Sequence, residues 1–255
     1  MPTLPVRGSD VRLLDLPLPP DRMPLVRDRR PLKRWRYVAV YSPELMLCVG
    51  HARLAGMSQR WWAVALPDGS LVEGVRPTGV IDVSLDEGEG IEVVSPHGRS
   101  FIWTRKQAGI AVRGQVRVGG RTLSVDGPFG FVDDSAGYHA RHTSWRWSAG
   151  IGRARDGRSV AWNLVDGVHD SSSNSERTVW IDGLPQEAEP VQFAADLSQV
   201  GDLHFTEWST REDHTNRLLV RSEYRQPFGS FSGVLPGGLE LESGYGVMEW
   251  HDVHW

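Results

Sequence analysis

Ile110-Ala111-Val112-Arg113-Gly114-Gln115-Val116-Arg117-Val118-Gly119-Gly120 is the stretch that decides the fold. Ile110, Val112, Val116 and Val118 alternate with small or polar residues, the period of two that puts apolar side chains on one face of a half-buried strand. Gly119-Gly120 then tolerates the positive φ of a tight hairpin. The same signs recur outward. Leu218, Val220 and Tyr224 alternate, as do Leu203 and Phe205, and Asp68-Gly69, His97-Gly98, Asp126-Gly127, Asp156-Gly157, Asp166-Gly167, Asp182-Gly183 and Gly237-Gly238 supply turn chemistry between the runs. No window of a dozen residues shows helical periodicity free of Gly and Pro, apart from a turn or two at Phe193-Ala194-Ala195-Asp196-Leu197. An antiparallel all-β meander is expected, with less than about a tenth of the chain helical.

The first 30 residues read differently. Seven of the 16 prolines lie before residue 32, and proline neither donates to a sheet ladder nor sits inside a helix. Residues 1–30 are therefore expected to form an extended Pro-rich arm, laid on the body to cover Leu13, Leu14, Leu16 and Leu18. Beyond it the chain echoes itself. Trp35-Arg36-Tyr37 returns as Trp145-Arg146-Trp147, Trp62 before Asp68-Gly69 has a looser counterpart in Trp180 before Asp182-Gly183, and Phe129-Gly130-Phe131-Val132-Asp133 returns as Tyr245-Gly246-Val247-Met248-Glu249. Three matches in order predict two similar halves, 31–138 and 139–255, each of about eight strands. That is enough for a small closed barrel around side chains or one small ligand.

Composition narrows the function classes. A chain of 255 residues is long enough for one large β domain or two small ones. The formal net charge is −4 with both signs interspersed, which leaves no basic face for nucleic acid. Cys48 is the single cysteine, so an internal disulfide and a cysteine zinc site are excluded. Residues 1–30 hold no apolar core of a signal peptide, and the longest apolar runs fall far short of a membrane span, so a cytoplasmic location without integral membrane insertion is expected, transient contact with a membrane surface remaining open. The sequence holds no phosphate loop, dinucleotide fingerprint or G-x-S-x-G motif, and no cofactor is expected. Eleven tryptophans suit an apolar pocket as well as a core.

Several blocks carry a family resemblance. Lys33-Arg34-Trp35-Arg36-Tyr37, Tyr41-Ser42-Pro43, Trp145-Arg146-Trp147-Ser148-Ala149-Gly150, Ser175-Glu176-Arg177, Gln226-Pro227-Phe228-Gly229-Ser230-Phe231-Ser232-Gly233 and Glu249-Trp250-His251 through Trp255 resemble domain-of-unknown-function family 2804 over roughly residues 30–255. More distantly the duplicated layout resembles the lipocalin-like carotenoid hydratases and terpenoid or tocopherol cyclases. The resemblance implies two lipocalin-like antiparallel β-barrel or sandwich halves packed together. It also implies an alkene-protonating chemistry by analogy of fold.

Protonating an alkene needs an acid kept protonated by an apolar site and aromatic faces for the developing cation. Strand alternation puts Glu249 on the face of Tyr245 and Val247, and Asp133 on that of Phe129 and Phe131. Either acid could instead be half of a buried ion pair with Arg36, Arg146 or Arg225. Asp166 with His169 could form a base and its orienting partner, or Asp166-Gly167 could be a plain turn. Glu176, after a polar serine loop, lines a cavity mouth or a solvated loop. His139-x-x-His142 and His251-x-x-His254 have the residues of a metal site but, on a strand, point to opposite faces, so no metal is expected.

The expected function is thus binding of an apolar, isoprenoid or lipid-like small molecule. An enzyme of the hydratase or cyclase kind would use Glu249, His251, Asp166 and His142 as proton-handling groups. Tyr37, Trp145, Trp147, Glu176 and Trp250 would bind the ligand. The alternative is a non-catalytic lipid carrier or sensor, whose acids would be paired or at the rim; no oligomeric state is read from the sequence.

Overall fold

The computed structural model describes residues 3–54, 57–217 and 220–255. The chain runs through β1 (Val6–Arg7), a 3-10 turn at Gly8–Leu13, a small hairpin of β2 (Val26–Arg27) and β3 (Arg30–Pro31), and then β4 (Lys33–Tyr41), β5 (Met46–Leu54), β6 (Met57–Ala65), β7 (Leu71–Gly74), β8 (Ile81–Leu85), β9 (Ile91–His97), β10 (Ser100–Val118) and β11 (Arg121–Gly137). It continues through β12 (His142–Ala154), β13 (Ser159–Asp166), β14 (Thr178–Ile181), β15 (Leu184–Glu187), β16 (Gln199–Val200), β17 (Asp202–Arg217), β18 (Val220–Leu235) and β19 (Leu239–His254). The protein is 2% helical and 66% strand and includes a curled half-barrel. Among the described residues no helix is long and apolar enough to cross a membrane.

Two antiparallel sheets carry the molecule. The first has the order β1-β9-β10-β11-β4-β5-β6-β7, with β8 also paired to β10; the second has the order β15-β14-β13-β12-β19-β18-β17-β16. In each, a meander closes by pairing its last long strand with its first, β11 with β4 and β19 with β12. Of the residues that echo each other in sequence, Trp35 and Trp145 lie on β4 and β12 and Asp133 and Glu249 on β11 and β19, all facing the other sheet, whereas Trp180 of β14 packs between the sheets and Trp62 of β6 packs behind the first one. The deciding stretch forms the C-terminal half of β10, which turns at Gly119-Gly120 into β11; the predicted alternation buries Val112, Val116 and Val118. Leu218 lies outside the described residues.

One apolar cluster joins the sheets. Tyr37, Ala39, Tyr41, Met46, Cys48, Ala63 and Phe131 of the first pack with Trp147, Ala149, Ile151, Ala161, Phe228 and Val247 of the second. Residues two apart on a strand share a face, so this cluster fixes which side chains point between the sheets. Gly50 matters to the same space: a Cβ there would stand 2.0 Å from the Trp61 ring, so glycine lets that indole lie flat across β5.

The arm lies on the first sheet, where Val11, Leu18 and Met23 are buried with Trp103 and Tyr138. Arg7 reaches farther, donating to the Ser175 carbonyl (2.6 Å) and the Thr178 hydroxyl (2.9 Å). Two details differ from expectation. Gly8–Leu13 holds no proline and winds into a 3-10 turn, and that turn directs Leu13 outward, 82% exposed, while Leu18 is buried.

Candidate functional site

The faces turned toward each other do not close completely. They leave a cavity of about 180 Å³ at one end of the shared core. Its walls are five of the eleven tryptophans, Trp35, Trp61, Trp145, Trp147 and Trp255, together with Tyr37 and Tyr224. Trp35 and Trp145 stack with centroids 6.3 Å apart and planes within 6°. Gln59, exposed, donates to Asp213 on β17 (3.3 Å) where the two sheets meet at the cavity's edge.

Two buried polar clusters face this space. In the first, Lys106 of β10 sits 2.6 Å from Asp133 of β11 and 3.4 Å from Glu176. Glu176 arrives there because the loop after β13 turns at Gly167, His169 and Asn174, all with positive φ, and folds inward. Asn163 donates to the Glu176 carbonyl (2.9 Å) and accepts from the Trp147 indole (2.7 Å), which fixes both. Burial opposes the ammonium, yet the two carboxylates hold the Lys106 pKa above its usual value. One cation cannot balance two buried acids, and burial pushes Asp133 and Glu176 upward despite Lys106.

The second cluster is built on Glu249 of β19. Its Oε1 accepts from the Trp145 indole (2.8 Å); its Oε2 accepts from Tyr224 (3.0 Å) and from Gln226 (2.9 Å). No cation is within ion-pair distance of it among the described residues. Burial lifts its pKa to about 7 against the lowering effect of the Trp145 and Tyr224 hydrogen bonds. A carboxyl oxygen offers two lone pairs. Both on Oε2 are engaged and one on Oε1 is free, so Oε1 is where a proton would reside. Two residues on, His251 lies on the same face, its ring 4.4 Å from Trp145 and its Nε2 2.8 Å from the Ser222 hydroxyl. Burial lowers its pKa to about 3, so the imidazole is neutral near pH 7.

Other polar atoms meet the cavity without partners. Trp61 Nε1, Trp255 Nε1, His139 Nδ1, His169 Nε2 and Arg211 Nε are buried and unpaired. Glu73 lies 3.3 Å from Arg211 Nε but off its N–H direction, so the contact is ionic and not a hydrogen bond. The Arg211 guanidinium is held over Trp61 and Tyr224 at 5.6 and 5.2 Å.

Of the residues singled out in the sequence, the structure brings Glu249, His251, Tyr37, Trp145, Trp147 and Glu176 to this cavity. Three lie elsewhere. Trp250 points the opposite way from its strand neighbours Glu249 and His251 and packs behind the second sheet. Asp166 ends β13 at the Gly167 turn and is exposed; His169 instead meets Ser95 of the first sheet at 2.8 Å. His142 is exposed at the sheet's outer face, hydrogen-bonded to Asp252 (2.9 Å) and stacked on His254 (4.1 Å).

His251 and His254 point to opposite faces of β19, as strand geometry requires, while His139 precedes β12 and lines the cavity and His142 is exposed. Across β12 and β19, however, His142 and His254 stand directly opposite, and with Asp252 their ligand atoms lie within 4.8 Å of one another, a donor set suited to a transition-metal ion. Glu176 is 3% exposed, a floor residue and not a rim residue. Asp133 pairs with Lys106 and none of the three arginines; Arg36 pairs with Asp134, and Arg225 with Glu207.

Sequence reading missed Lys106 and Arg211. Lys106 sits in the run Arg105-Lys106-Gln107, which looks like a solvated surface. Only its place two residues after Thr104 and two before Ala108 signals the inner face.

The sequence model of DUF2804, a domain of unknown function, matches residues 70–255, more than half of the chain. Among curated proteins none matches. Solved structures with a similar fold include a protein assigned as AttH from Nitrosomonas europaea (12% identity, TM-score 0.45, covering 93% of this chain and 98% of that one). Kievitone hydratase from Nectria haematococca is also similar (10% identity, TM-score 0.48, 86% and 88% covered), as is CghA with Sch210972 (10% identity, TM-score 0.40, 98% and 97% covered).

Proposed function

The chain belongs to the DUF2804 family, and from that premise we propose that it is a lipocalin-like enzyme of the hydratase or cyclase kind, with Glu249 as the group that gives up and regains a proton. The observation that carries this reading is a cavity-facing carboxyl, 8% exposed, without a cationic partner and with a pKa lifted by burial to about 7. An acid poised near working pH is what general acid catalysis favours. A carrier has no use for one and would do better with its acids paired, as Asp133 is.

In the proposed cycle Glu249 Oε1–H protonates an alkene carbon, and the new C–H bond leaves the neighbouring carbon electron-deficient. The faces of Trp35, Trp145 and Trp147 stabilise that cation. Water, or a second π-bond of the same molecule, closes the new bond, and neutral His251 takes the released proton. Imidazolium in so buried a site is strongly acidic and readily returns the proton to Glu249.

The cavity volume of about 180 Å³ is close to the cavity of about 150 Å³ that holds benzene. This favours one ring or the unsaturated end of a chain over a whole long isoprenoid. The unpaired donors of Trp61, Trp255 and Arg211 favour a ligand that also bears oxygen. We further propose that residues 31–138 and 139–255 are diverged copies of one ancestral half, the arm of residues 1–30 being an addition to the first. The cytoplasm remains the expected location.

The test is incubation in D2O with a panel of compact terpenoid and aryl alkenes, reading deuterium incorporation by mass spectrometry. Wild-type protein should label and hydrate or cyclise one class of them. Glu249→Gln should lower that rate by about 10²–10⁴-fold while binding persists. Equal rates in the two proteins would remove Glu249 from the chemistry, and tight binding without turnover would make the protein a carrier.

A further inference from the structure

A second recess lies on the outer face of the first sheet, away from Glu249. It is a groove of about 460 Å³ walled by Arg12, Pro19 and Pro20 of the arm and by Arg34, Arg36, Arg53, Arg105, His51 and Trp103 of the sheet. Its base is one row of the sheet: Trp103, Ala136, Arg34 and Arg53 are neighbours on β10, β11, β4 and β5. Ala136, the small residue of the row, leaves the pit between the indole and the two guanidinium groups.

Charge in this groove is only partly balanced. Arg12 is paired with Glu92, and Arg36 and Arg105 share Asp134 and Glu87. Arg34 and Arg53 have no carboxylate among the described residues. Arg53 donates only to His51 (3.4 Å), and Arg34 Nε is buried without a partner. They nevertheless stand directly opposite each other across β4 and β5, a placement of like charges that destabilises a sheet. Trp103 adds an independent sign. It is 4% exposed, it lines the groove, and its indole N–H is buried without an acceptor.

We propose that this groove binds a phosphoryl dianion, as inorganic phosphate or a phosphate monoester. Two uncompensated guanidinium groups match two negative charges. The oxygens of one tetrahedral phosphoryl group can serve both planar forks and the indole N–H together, and they bring the second negative charge that a single carboxylate lacks. The site also gives the N-terminal arm a task. Pro19 and Pro20 form one wall, and the Arg12 guanidinium, which donates to the Pro19 carbonyl (2.7 Å), ties that wall to Glu92 of the sheet. The proposal is independent of the chemistry assigned to Glu249, because the two recesses lie on opposite faces of β4 and β11.

The full chain is titrated calorimetrically with sodium phosphate at constant ionic strength against a chloride control. Wild type should bind. Arg34→Gln and Arg53→Gln should each weaken binding by about tenfold or more, the loss expected for a charge-assisted hydrogen bond. Trp103→Phe, which keeps the packing and removes the N–H, should weaken it less.

In phosphate-free chloride buffer Arg34→Gln should melt higher than wild type, since it removes the Arg34–Arg53 repulsion, and phosphate should no longer raise its Tm. A folded Arg34→Gln protein that binds phosphate like wild type overturns the proposal. So does a wild type without phosphate-dependent heat.

A parallel arm uses phosphatidylcholine vesicles with and without phosphatidic acid. Retention only on the latter, reversed by phosphate, assigns the anion to a lipid headgroup; phosphate binding without such retention assigns it to a soluble molecule. The absence of both rejects the site.

Discussion

Gln226 donates to Glu249 across 2.9 Å at the place in the second sheet where, in the first, Lys106 meets Asp133 across 2.6 Å. Both pairs join the last strand of a half to the strand before it, and both carboxyls face the cavity. One carboxyl therefore has an ammonium beside it and the other an amide, with only the neutral donors of Trp145 and Tyr224 besides. Neutral donors orient a carboxyl without neutralising it, so at Glu249 burial outweighs the lowering effect of the Trp145 and Tyr224 hydrogen bonds, and that sets its proton affinity apart from an ordinary ion pair.

That difference has a pH signature. The Glu249 pKa is about 7 in the folded protein, against about 4.3 for an exposed glutamate. Between those values the native state holds a proton that the unfolded chain has released, so unfolding free energy falls as pH rises. The contribution is fully present below about pH 4 and is lost as pH passes about 7, a change on the order of 3 kcal/mol. Glu249→Gln cannot titrate. Denaturant unfolding from pH 4.5 to 8 should show wild type gaining on the variant toward low pH, and a constant difference would refute the raised pKa.

The first cluster should respond oppositely to loss of its cation. Lys106→Met leaves Asp133 and Glu176 buried without a counter-charge and should cost roughly 3–5 kcal/mol at pH 7. Adding Asp133→Asn and Glu176→Gln should recover most of that loss, because the cluster is then neutral. If the triple variant is no more stable than Lys106→Met, the cluster is not held by charge.

Packing of the arm makes a sharper contrast than its composition suggests. Leu18→Ala opens a buried site and should cost about 2–5 kcal/mol. Leu13→Ala, five residues earlier but exposed, should stay within about 0.5 kcal/mol. Deleting residues 2–30 should lower Tm and uncover Trp103 and Tyr138. An unchanged melting curve would show that the arm contributes nothing to stability.

Much of this architecture is written locally. Alternation at Ile110–Val118 and glycine at the hairpins specify strands, and the same alternation places Tyr245, Val247, Glu249 and His251 on one face. The site is less legible because it belongs to both sheets. Lys106 meets Glu176 only after the loop following β13 folds inward, a contact across 70 positions that no local pattern announces.

Asp166 and Trp250 illustrate the converse. Each sits beside residues that do reach the cavity, yet Trp250 is one position out of phase on its strand and Asp166 belongs to a turn. His142 and His254, read along the chain, are members of two separate pairs; pairing of β12 with β19 joins them with each other instead.

The stacked Trp35 and Trp145 hold two strong ultraviolet chromophores in nearly parallel planes at 6.3 Å. Chromophores that close share their excitation, so the pair should give an exciton couplet in circular dichroism that a solitary indole lacks. A guest entering between the sheets would part or tilt the rings and collapse the couplet. Occupancy could then be followed by light alone, without a label and before any substrate is known.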